Sequence, residues 1–326
     1  MKEIGRKQFL RVAAATFMAM LLIVPTTSWA QNKPWAKLAD GVLTFSYGAK
    51  PAAESANIKC PKCEKPIAAA HKFCPNCGTE KPKPKSFVFA VPLNAKGVND
   101  LPWDENREEV KRVVFSQSFR QVSNITSTAV WFFLMKNLTS ITGLENLRTG
   151  NVTNMDGMFS YCKSLTSLDL SNFNTSKVTN MEDLFLGCDR LTSLDLSNFN
   201  TSKVTNMKRM FSSCERLTSL DLSNFNTSKV TDMGTMFSYC ERLTSLNLSN
   251  FNTSKVTDMG GMFSFCKSLT SLNLSNFNTS KVTDMGGMFY DTPSLKTITV
   301  SSTTWNLEKA DTKTMFRGCP AQVIKK

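Results

Sequence analysis

The sequence predicts an α/β repeat solenoid of short parallel strands and short helices, with a cap at each end. The main observation is a unit of 26 residues that recurs five times between residues 151 and 293. A second observation is that one half of each unit has the periodicity of a strand and the other half that of a helix. A unit of this length cannot bury its apolar face alone, so we expect successive units to stack.

The two halves of a unit differ in the spacing of their apolar residues. Leu165-x-x-Leu168-x-Leu170 is the leucine-rich-repeat pattern, in which Leu168 and Leu170 lie on one face of a short strand. The other half has apolar residues at i, i+3, i+4 and i+7, which favours a short helix. In the first unit these are Met155, Met158, Phe159 and Cys162. Stacking would therefore give a parallel sheet on one side and helices on the other.

The whole unit also resembles a known family. It reads Leu165-Thr-Ser-Leu-Asp-Leu-Ser-Asn-Phe-Asn-Thr-Ser-Lys-Val-Thr-Asn-Met181, with Met-Phe-x-x-Cys in the helix-like half. In this it resembles the bacterial surface-protein repeat of the BspA-like leucine-rich family, over about half of the chain. The resemblance implies an exported binding protein, secreted or on the cell surface and often linked to adhesion. The periodicity alone shows none of that function.

Residues 1–30 are predicted to be a secretory signal peptide. Four basic residues precede an apolar run from Val12 to Val24, and Ser28-Trp29-Ala30 is a small-x-small cleavage site. Cleavage after Ala30 would lower the formal charge from +13 to +10, because the segment carries four basic residues and one acidic residue. We expect a secreted or surface protein with no transmembrane segment after cleavage.

Residues 58–80 carry a second motif, two Cys-x-x-Cys pairs ten residues apart. This spacing is typical of a zinc ribbon with four thiolate ligands, predicted to be Cys60, Cys63, Cys74 and Cys77. A structural zinc ion is therefore the expected cofactor. Two disulfides are the alternative, since export into an oxidising compartment favours them. The ribbon and the linker 81–85 hold seven lysines against Glu64 and Glu80, so the basic charge is concentrated there.

The ribbon is inserted into a predicted β-rich N-terminal cap, residues 31–57 and 86–150. Strand-like runs occur at Val42–Tyr47, Phe87–Val91 and Lys111–Phe115. A Gly-x-Leu-Thr-Phe strand, a Pro-Trp loop and a Trp-Phe-Phe segment extend the family resemblance into this cap. Residues 294–326 form a degenerate repeat that we expect to close the other end.

Equivalent residues of successive units should form rows along the solenoid. The cysteine row is expected to be buried, free and structural rather than a metal or redox chain; it comprises Cys162, Cys188, Cys214, Cys240 and Cys266. A polar row should project from the open strand face and is our candidate partner-binding surface. It comprises Ser167, Asp169, Ser193, Asp195, Ser219, Asp221, Ser245, Asn247, Ser271 and Asn273. A lysine row should follow the turn edge; it comprises Lys177, Lys203, Lys229, Lys255 and Lys281.

Three function classes fit these rows and motifs unequally. An extracellular binding or adhesion protein, acting on a protein or glycan as a monomer, fits best. A binder of nucleic acid or another anionic polymer through the basic ribbon is the alternative, but the solenoid is neutral, so no nucleic-acid partner is expected. A polysaccharide-active enzyme using the Asp row is disfavoured, because an open sheet of small polar residues offers no pocket. We therefore expect no enzyme activity.

Overall fold

The computed structural model describes residues 33–48 and 86–326, with Lys62, Pro75 and Cys77 between them. The predicted signal peptide with its cleavage site at Ala30, and nearly all of the predicted ribbon, lie outside these residues. In the described part of the chain no helix has the length and apolar character needed to cross a membrane.

The N-terminal cap is a five-stranded sheet. Its strands are β1 (Lys33–Ala39), β2 (Val42–Gly48), β3 (Ser86–Ala90), β5 (Arg112–Phe115) and β7 (Ser140–Thr142). Their order in the sheet is β3-β1-β2-β5-β7. Strand β1 pairs antiparallel with β2 and β3, whereas β2–β5 and β5–β7 are parallel. A second, two-stranded parallel sheet joins β4 (Asn94–Ala95) to β6 (Ser127–Thr128). The sequence analysis did not anticipate β1, which lies inside the sheet between its two antiparallel partners β3 and β2.

Aromatic side chains fill the cap. Phe45 stacks on Phe115 at a centroid distance of 4.6 Å and on Trp131 at 5.5 Å, and Trp103 meets Phe45 edge-on at 5.3 Å. All four are almost fully buried. The indole Nε1 of Trp103 donates to the carbonyl oxygen of Trp131 at 2.9 Å. The cap is thereby fixed to the first turn of the solenoid.

The solenoid itself consists of coils, each a 26-residue turn of the chain. The predicted strands form paired ladders only at the C-terminal end, where β8 (Ser271–Leu274), β9 (Thr297–Val300) and β10 (Gln322–Lys325) make a parallel sheet. In the four preceding units the equivalent residues are not paired as a ladder. Side chains still alternate there: Leu194 and Leu196 are buried, whereas Asp195 is exposed. The predicted inward and outward faces are therefore present without a continuous sheet.

The predicted short helices are wrong. The described part of the chain contains no α-helix, and its helical residues lie in four short 3₁₀ segments, Val98–Asp100, Asp104–Glu109, Gln117–Gln121 and Leu144–Asn146. The helix-like half of each unit is instead a chain of tight turns, here called the turn segment. The turn segments are residues 154–162, 180–188, 206–214, 232–240, 258–266, 284–292 and 311–319.

Hydrogen bonding between coils explains why a helix does not form. In the first turn segment the N–H groups of Met155, Gly157, Phe159 and Tyr161 donate to carbonyls of the next coil at 2.6–3.0 Å. Between them, the N–H groups of Met158 and Ser160 donate three residues back, at 3.2 and 3.0 Å, and that of Asp156 donates to Asn154 Oδ1. Gly157 and Tyr161 have positive φ, 56° and 57°, which an α-helix excludes. Half of the amides are thus used to join coils.

The core beneath the turn segments is a continuous stack of phenylalanines. Neighbouring rings lie 5.4–5.8 Å apart and nearly parallel. The buried rings are Phe132, Phe159, Phe185, Phe211, Phe237, Phe263 and Phe289, and the stack ends on Phe316, which is 37% exposed. Asparagines add a polar ladder near the surface: Asn198 Nδ2 donates to the carbonyls of Leu170 and Phe173 in the preceding coil at 2.9 and 2.8 Å.

The cysteine row lies in this core, as predicted. All five thiols are free and fully buried. Each Sγ contacts a phenylalanine carbonyl of the preceding coil at 3.1–3.3 Å, as Cys214 does with Phe185. Burial raises the pKa of these thiols, to about 12 for Cys240, so they stay protonated and unreactive.

Candidate functional site

The predicted partner-binding residues form one surface, here called the polar face. Its members are Ser167, Asp169, Ser193, Asp195, Ser219, Asp221, Ser245, Asn247, Ser271 and Asn273, and the structure places every one of these side chains at the surface. Because equivalent positions repeat once per coil, the polar face consists of a row of serines beside a row of three aspartates and two asparagines.

The acidic members of the polar face also have a local structural role. Asp195 Oδ1 accepts the N–H of Ser197 at 3.0 Å, and Asn247 Oδ1 accepts that of Ser249 at 3.1 Å. Aspartate and asparagine therefore fold this turn in the same way. Hydrogen bonds from the serine two residues on hold the pKa of Asp169, Asp195 and Asp221 below its usual range.

This charge state bears on the enzyme hypothesis. A glycosidase pair needs one carboxyl whose pKa is raised so that it can donate a proton. Asp195 and Asp221 have lowered pKa values and open solvent around them, which suits neither proton donation nor exclusion of water. The polar face therefore exposes ionised carboxylates and hydrogen-bonding side chains to solvent.

The predicted lysine row is also exposed along one edge. Lys177 Nζ donates to Asn151 Oδ1 of the preceding coil at 2.6 Å. Lys203, Lys229, Lys255 and Lys281 are likewise at the surface. The structure therefore provides a row of cations parallel to the polar face.

The predicted zinc ligands fall mostly beyond what the structure describes. Cys60, Cys63 and Cys74 lie outside the described residues, and Cys77 is a half-buried residue in a turn. Among the described residues alone, no group of three or more Cys, His, Asp or Glu side chains could hold a metal ion. Zinc binding by this segment stays a prediction.

A further surface, which the sequence analysis missed, is formed by the turn segments and is here called the turn face. In its N-terminal half, up to about residue 216, charged side chains cover the backbone. Arg209 donates through Nε to Asp183 Oδ1 at 2.6 Å and through Nη2 to Asp183 Oδ2 at 3.0 Å and Glu182 Oε1 at 3.1 Å. Asn206 Nδ2 donates to Glu182 Oε2 at 2.9 Å. The N-terminal half of the turn face therefore carries both the carboxylates and the guanidinium that neutralises them.

The C-terminal half of the turn face has the opposite arrangement. Where Asn154, Asn180 and Asn206 stand in the first coils, the later coils carry a row of carboxylates, namely Asp232, Asp258, Asp284 and Asp311. Where Glu182 and Lys208 stand, the next three coils carry glycine, namely Gly234, Gly260 and Gly286. Their Cα hydrogens face the carboxylates: a Cβ on Gly260 would lie 3.0 Å from Asp284 Oδ1. Beside Gly286 lies a groove of about 410 Å³, which is lined also by Asp284, Asp311 and Lys313.

Aromatic rings form the other side of this groove. Phe265 and Tyr290 line it, with ring centroids 5.2 Å apart. Tyr239, 41% exposed, extends the row by stacking on Phe265 at 4.2 Å. We call this cavity the acid–aromatic groove; Asp232, Asp258 and the Tyr239 ring continue the same rows beyond its lining. The sequence does contain a sign of this groove, because Asn-Met changes to Asp-Met-Gly at residue 232. The analysis missed it because it considered residues that repeat in every coil, and these residues differ between coils.

The fold and its surfaces define a solenoid repeat protein with two exposed faces, one polar and one acid–aromatic. The sequence matches the family described as "Mycoplasma protein of unknown function, DUF285" over residues 126–241 and 216–325. These stretches cover more than half of the chain, and the protein belongs to this family. No curated protein matches the chain.

Three solved structures are similar to the chain at low identity. One is a leucine-rich repeat protein from Bacteroides ovatus ATCC 8483, 15% identical, with a TM-score of 0.38 over 92% of this chain and 76% of that one. Another, from Eubacterium ventriosum ATCC 27560, is 16% identical, with a TM-score of 0.30 over 90% and 82%. The third, a leucine-rich cell surface protein from Faecalibacterium prausnitzii A2-165, is 15% identical, with a TM-score of 0.23 over 88% and 91%. Because these TM-scores are low, we assign the solenoid fold from the hydrogen bonds between coils and not from these similarities.

Proposed function

We propose that the protein is exported and acts outside the cytoplasm as a binding protein, with the polar face as its contact surface. The observation that carries the proposal is the regular row of ten exposed serine, aspartate and asparagine side chains. Several equivalent rungs can engage a repeating ligand together, so weak contacts add up. The signal peptide predicted from the sequence of residues 1–30 supports export. The partner is an extracellular protein or glycan, and adhesion is the process that such a surface serves.

The contact surface can be tested by adding bulk without disturbing the core. Ser193→Arg with Ser219→Arg places two long side chains on the polar face, where both serines are exposed. We expect this variant to fold and to lose binding to the protein or glycan that the parent recognises on an array. Lys203→Ala with Lys229→Ala is the matched control on the neighbouring lysine row, and its effect should be smaller and dependent on salt. Unchanged binding by the double arginine variant would exclude the polar face.

We also propose that the segment 58–80 holds one structural zinc ion through Cys60, Cys63, Cys74 and Cys77. Metal analysis of protein purified from the oxidising compartment should find about one zinc per chain, and Cys74→Ser should lose it while the solenoid stays folded. Absence of zinc together with four unreactive thiols would instead identify two disulfides.

A further inference from the structure

The two ends of the solenoid are covered differently. At the N-terminal end the cap lies over the first coil, and the carbonyl oxygen of Trp131 accepts the indole N–H of Trp103 at 2.9 Å. At the C-terminal end lie the last turn segment, residues 311–319, and β10. Among the described residues β10 is the outer strand of its sheet and pairs with β9 alone. The backbone groups of this end therefore face solvent.

The last turn segment carries a row of amide donors that the earlier coils use for stacking. In the coil before it, the N–H of Met285 donates to the carbonyl of Asp311 at 2.8 Å and that of Phe289 to the carbonyl of Met315 at 3.0 Å. The equivalent donors of the last turn segment have no acceptor within the described residues. They are the N–H groups of Thr312, Thr314, Phe316 and Gly318, here called the terminal row.

The interior coils show what such a row of donors accepts. The acceptors there are carbonyls of alternate residues in a single segment of chain, since Asp311, Lys313, Met315 and Arg317 accept in turn at 2.8–3.0 Å. A polypeptide laid along the terminal row would present carbonyls at alternate residues in the same way. A small anion reaches one or two of these donors at a time. The four donors together therefore favour a polypeptide partner.

Apolar side chains are exposed at the same end. Phe316, Val323 and Ile324 are three of the four large apolar side chains that are exposed in the described part of the chain. The Phe316 ring stacks on Phe289 at 5.4 Å, and as the last ring of the stack it is not covered by a further coil among the described residues. A partner that covers these side chains would remove apolar surface from water.

The charge of this end indicates the chemistry of the partner. Residues 294–326 carry six basic residues against Glu308 and Asp311, which gives a net charge of +4. Residues 151–289 carry twelve basic and twelve acidic residues, so the rest of the solenoid is neutral. The positive end attracts an acidic partner and opposes docking of a second copy of this chain through the same end.

We propose that the C-terminal end of the solenoid binds an extended acidic segment of a partner protein. Backbone carbonyls of the segment accept the N–H groups of the terminal row, and its apolar side chains cover Phe316. Lysines on an exposed strand oppose pairing with a further strand, so Lys325 places the partner on the terminal row rather than on β10. The terminal row and the polar face share no residue, so this interaction does not depend on the proposed function.

The direct test measures amide hydrogen exchange by NMR in the purified protein, with a peptide of alternating glutamate and valine as the probe. We expect this peptide to bind more tightly than a lysine–valine peptide of equal length and to slow exchange of the four terminal-row amides. The amides of Met285 and Phe289 already donate to the last coil and should exchange slowly with and without peptide. The polar-face variant Ser193→Arg with Ser219→Arg should bind the peptide as the parent does.

The decisive variant removes one donor. Thr312→Pro deletes an N–H of the terminal row, while the carbonyl of Thr312 can still accept the N–H of Met315, as it does at 3.0 Å. Thr312→Ala keeps the amide and is the matched control. We expect the proline variant to bind the peptide about threefold to tenfold more weakly and the alanine variant to bind as the parent does. Slow exchange at Met285 in the proline variant would show that the last coil is still stacked, and equal affinity of all three proteins would overturn the proposal.

A second pair of variants separates the charge of this end from the charge of the whole chain. Lys325→Glu with Lys326→Glu takes residues 294–326 from +4 to 0, and Lys203→Glu with Lys229→Glu makes the same change in total charge on the lysine row. We expect about a tenfold loss of affinity at low salt for the first variant and little loss for the second. Equal losses would mean that net charge alone attracts the peptide, which would overturn the proposal.

Two further outcomes would contradict the terminal row as the site. The N–H groups of Gln322 and Lys326 donate to the strand β9 side, so those of Val323 and Lys325 lie on the outer side of β10. Protection of these two amides in place of the terminal row would assign the peptide to the strand edge. A dimer in sedimentation that protects the terminal row without peptide would assign this end to a second copy of the chain.

Discussion

The N-terminal and C-terminal halves of the turn face are built on the same backbone hydrogen bonds and carry different side chains. Met155 and Met259 each donate an N–H to the coil that follows, at 3.0 and 2.9 Å. Above this shared backbone, the first half is covered by Arg209, Glu182 and Asp183, whereas the second half has glycines between carboxylates and aromatic rings. In a solenoid, one set of residues determines stacking and another is free to define a surface.

The largest expected effect tests whether the two halves share one core. Phe185→Ala and Phe263→Ala each remove a fully buried ring that stacks on two neighbours at 5.7–5.8 Å. Each should lower the free energy of unfolding by about 3–5 kcal/mol, because of lost burial and a cavity. Urea denaturation of both variants should give equal losses. A clear inequality would mean that the halves differ below the surface as well.

Part of the architecture that the two halves share could be predicted from the sequence. The repeat, the inward leucines and the buried cysteines follow from spacing, because residues that recur at a fixed period must be equivalent in the stack. The helices were wrongly predicted because Met155, Met158, Phe159 and Cys162 also fit a chain of turns that buries every third or fourth side chain. Backbone bonding between coils decides between the two, and spacing alone does not report it.

The candidate site was only partly predictable for a related reason. The polar face consists of residues that repeat in every coil, so it is visible in the sequence. The acid–aromatic groove depends on residues that change between coils, such as the replacement of Asn206 by Asp232 and of Arg209 by Thr235. Such changes resemble ordinary surface variation until the structure aligns them on one face.

The next effect concerns the cation that distinguishes the first half. Arg209→Ala would leave Asp183, Glu182 and Asp156 without their neutralising partner. We expect a loss of about 1 kcal/mol in the free energy of unfolding, since the pair is two-pronged but partly exposed. Urea denaturation would measure this loss, and an unchanged free energy of unfolding would show that these carboxylates do not need the cation.

Asp156 makes the comparison dependent on pH. Burial, together with the charges of Glu182 and Asp183, raises its pKa to about 6, while Arg209 acts in the opposite direction. An unfolded aspartate has a pKa of about 3.9, so the folded state binds the proton more tightly. The contribution of Asp156 to stability is therefore fully present below pH ~4 and is lost as the pH rises through about 6.

Asp156→Asn should remove the loss of stability that accompanies ionisation of Asp156 as the pH rises. Two pKa units correspond to about 2.7 kcal/mol, and solvent screening of this half-buried carboxyl reduces the expected gain to about 1 kcal/mol at pH 7. Thermal unfolding at pH 7 and pH 4 would measure it, and the gain should vanish at the lower pH. Asp195→Asn is the control, because the pKa of Asp195 is lowered and the gain should be absent at both pH values.

The smallest effect is expected where the second half does carry an ion pair. Lys267 Nζ lies 2.6 Å from Glu241 Oε1, the same distance as that between Arg209 Nε and Asp183 Oδ1. The Lys267–Glu241 pair is nevertheless exposed to solvent, the lysine side chain is flexible, and its ammonium contacts a single carboxylate oxygen. Lys267→Ala should therefore leave the unfolding midpoint within experimental error at physiological salt, whereas Arg209→Ala should shift it. If both variants shift the midpoint equally, distance rather than two-pronged, partly buried geometry would set the strength of pairs on this surface.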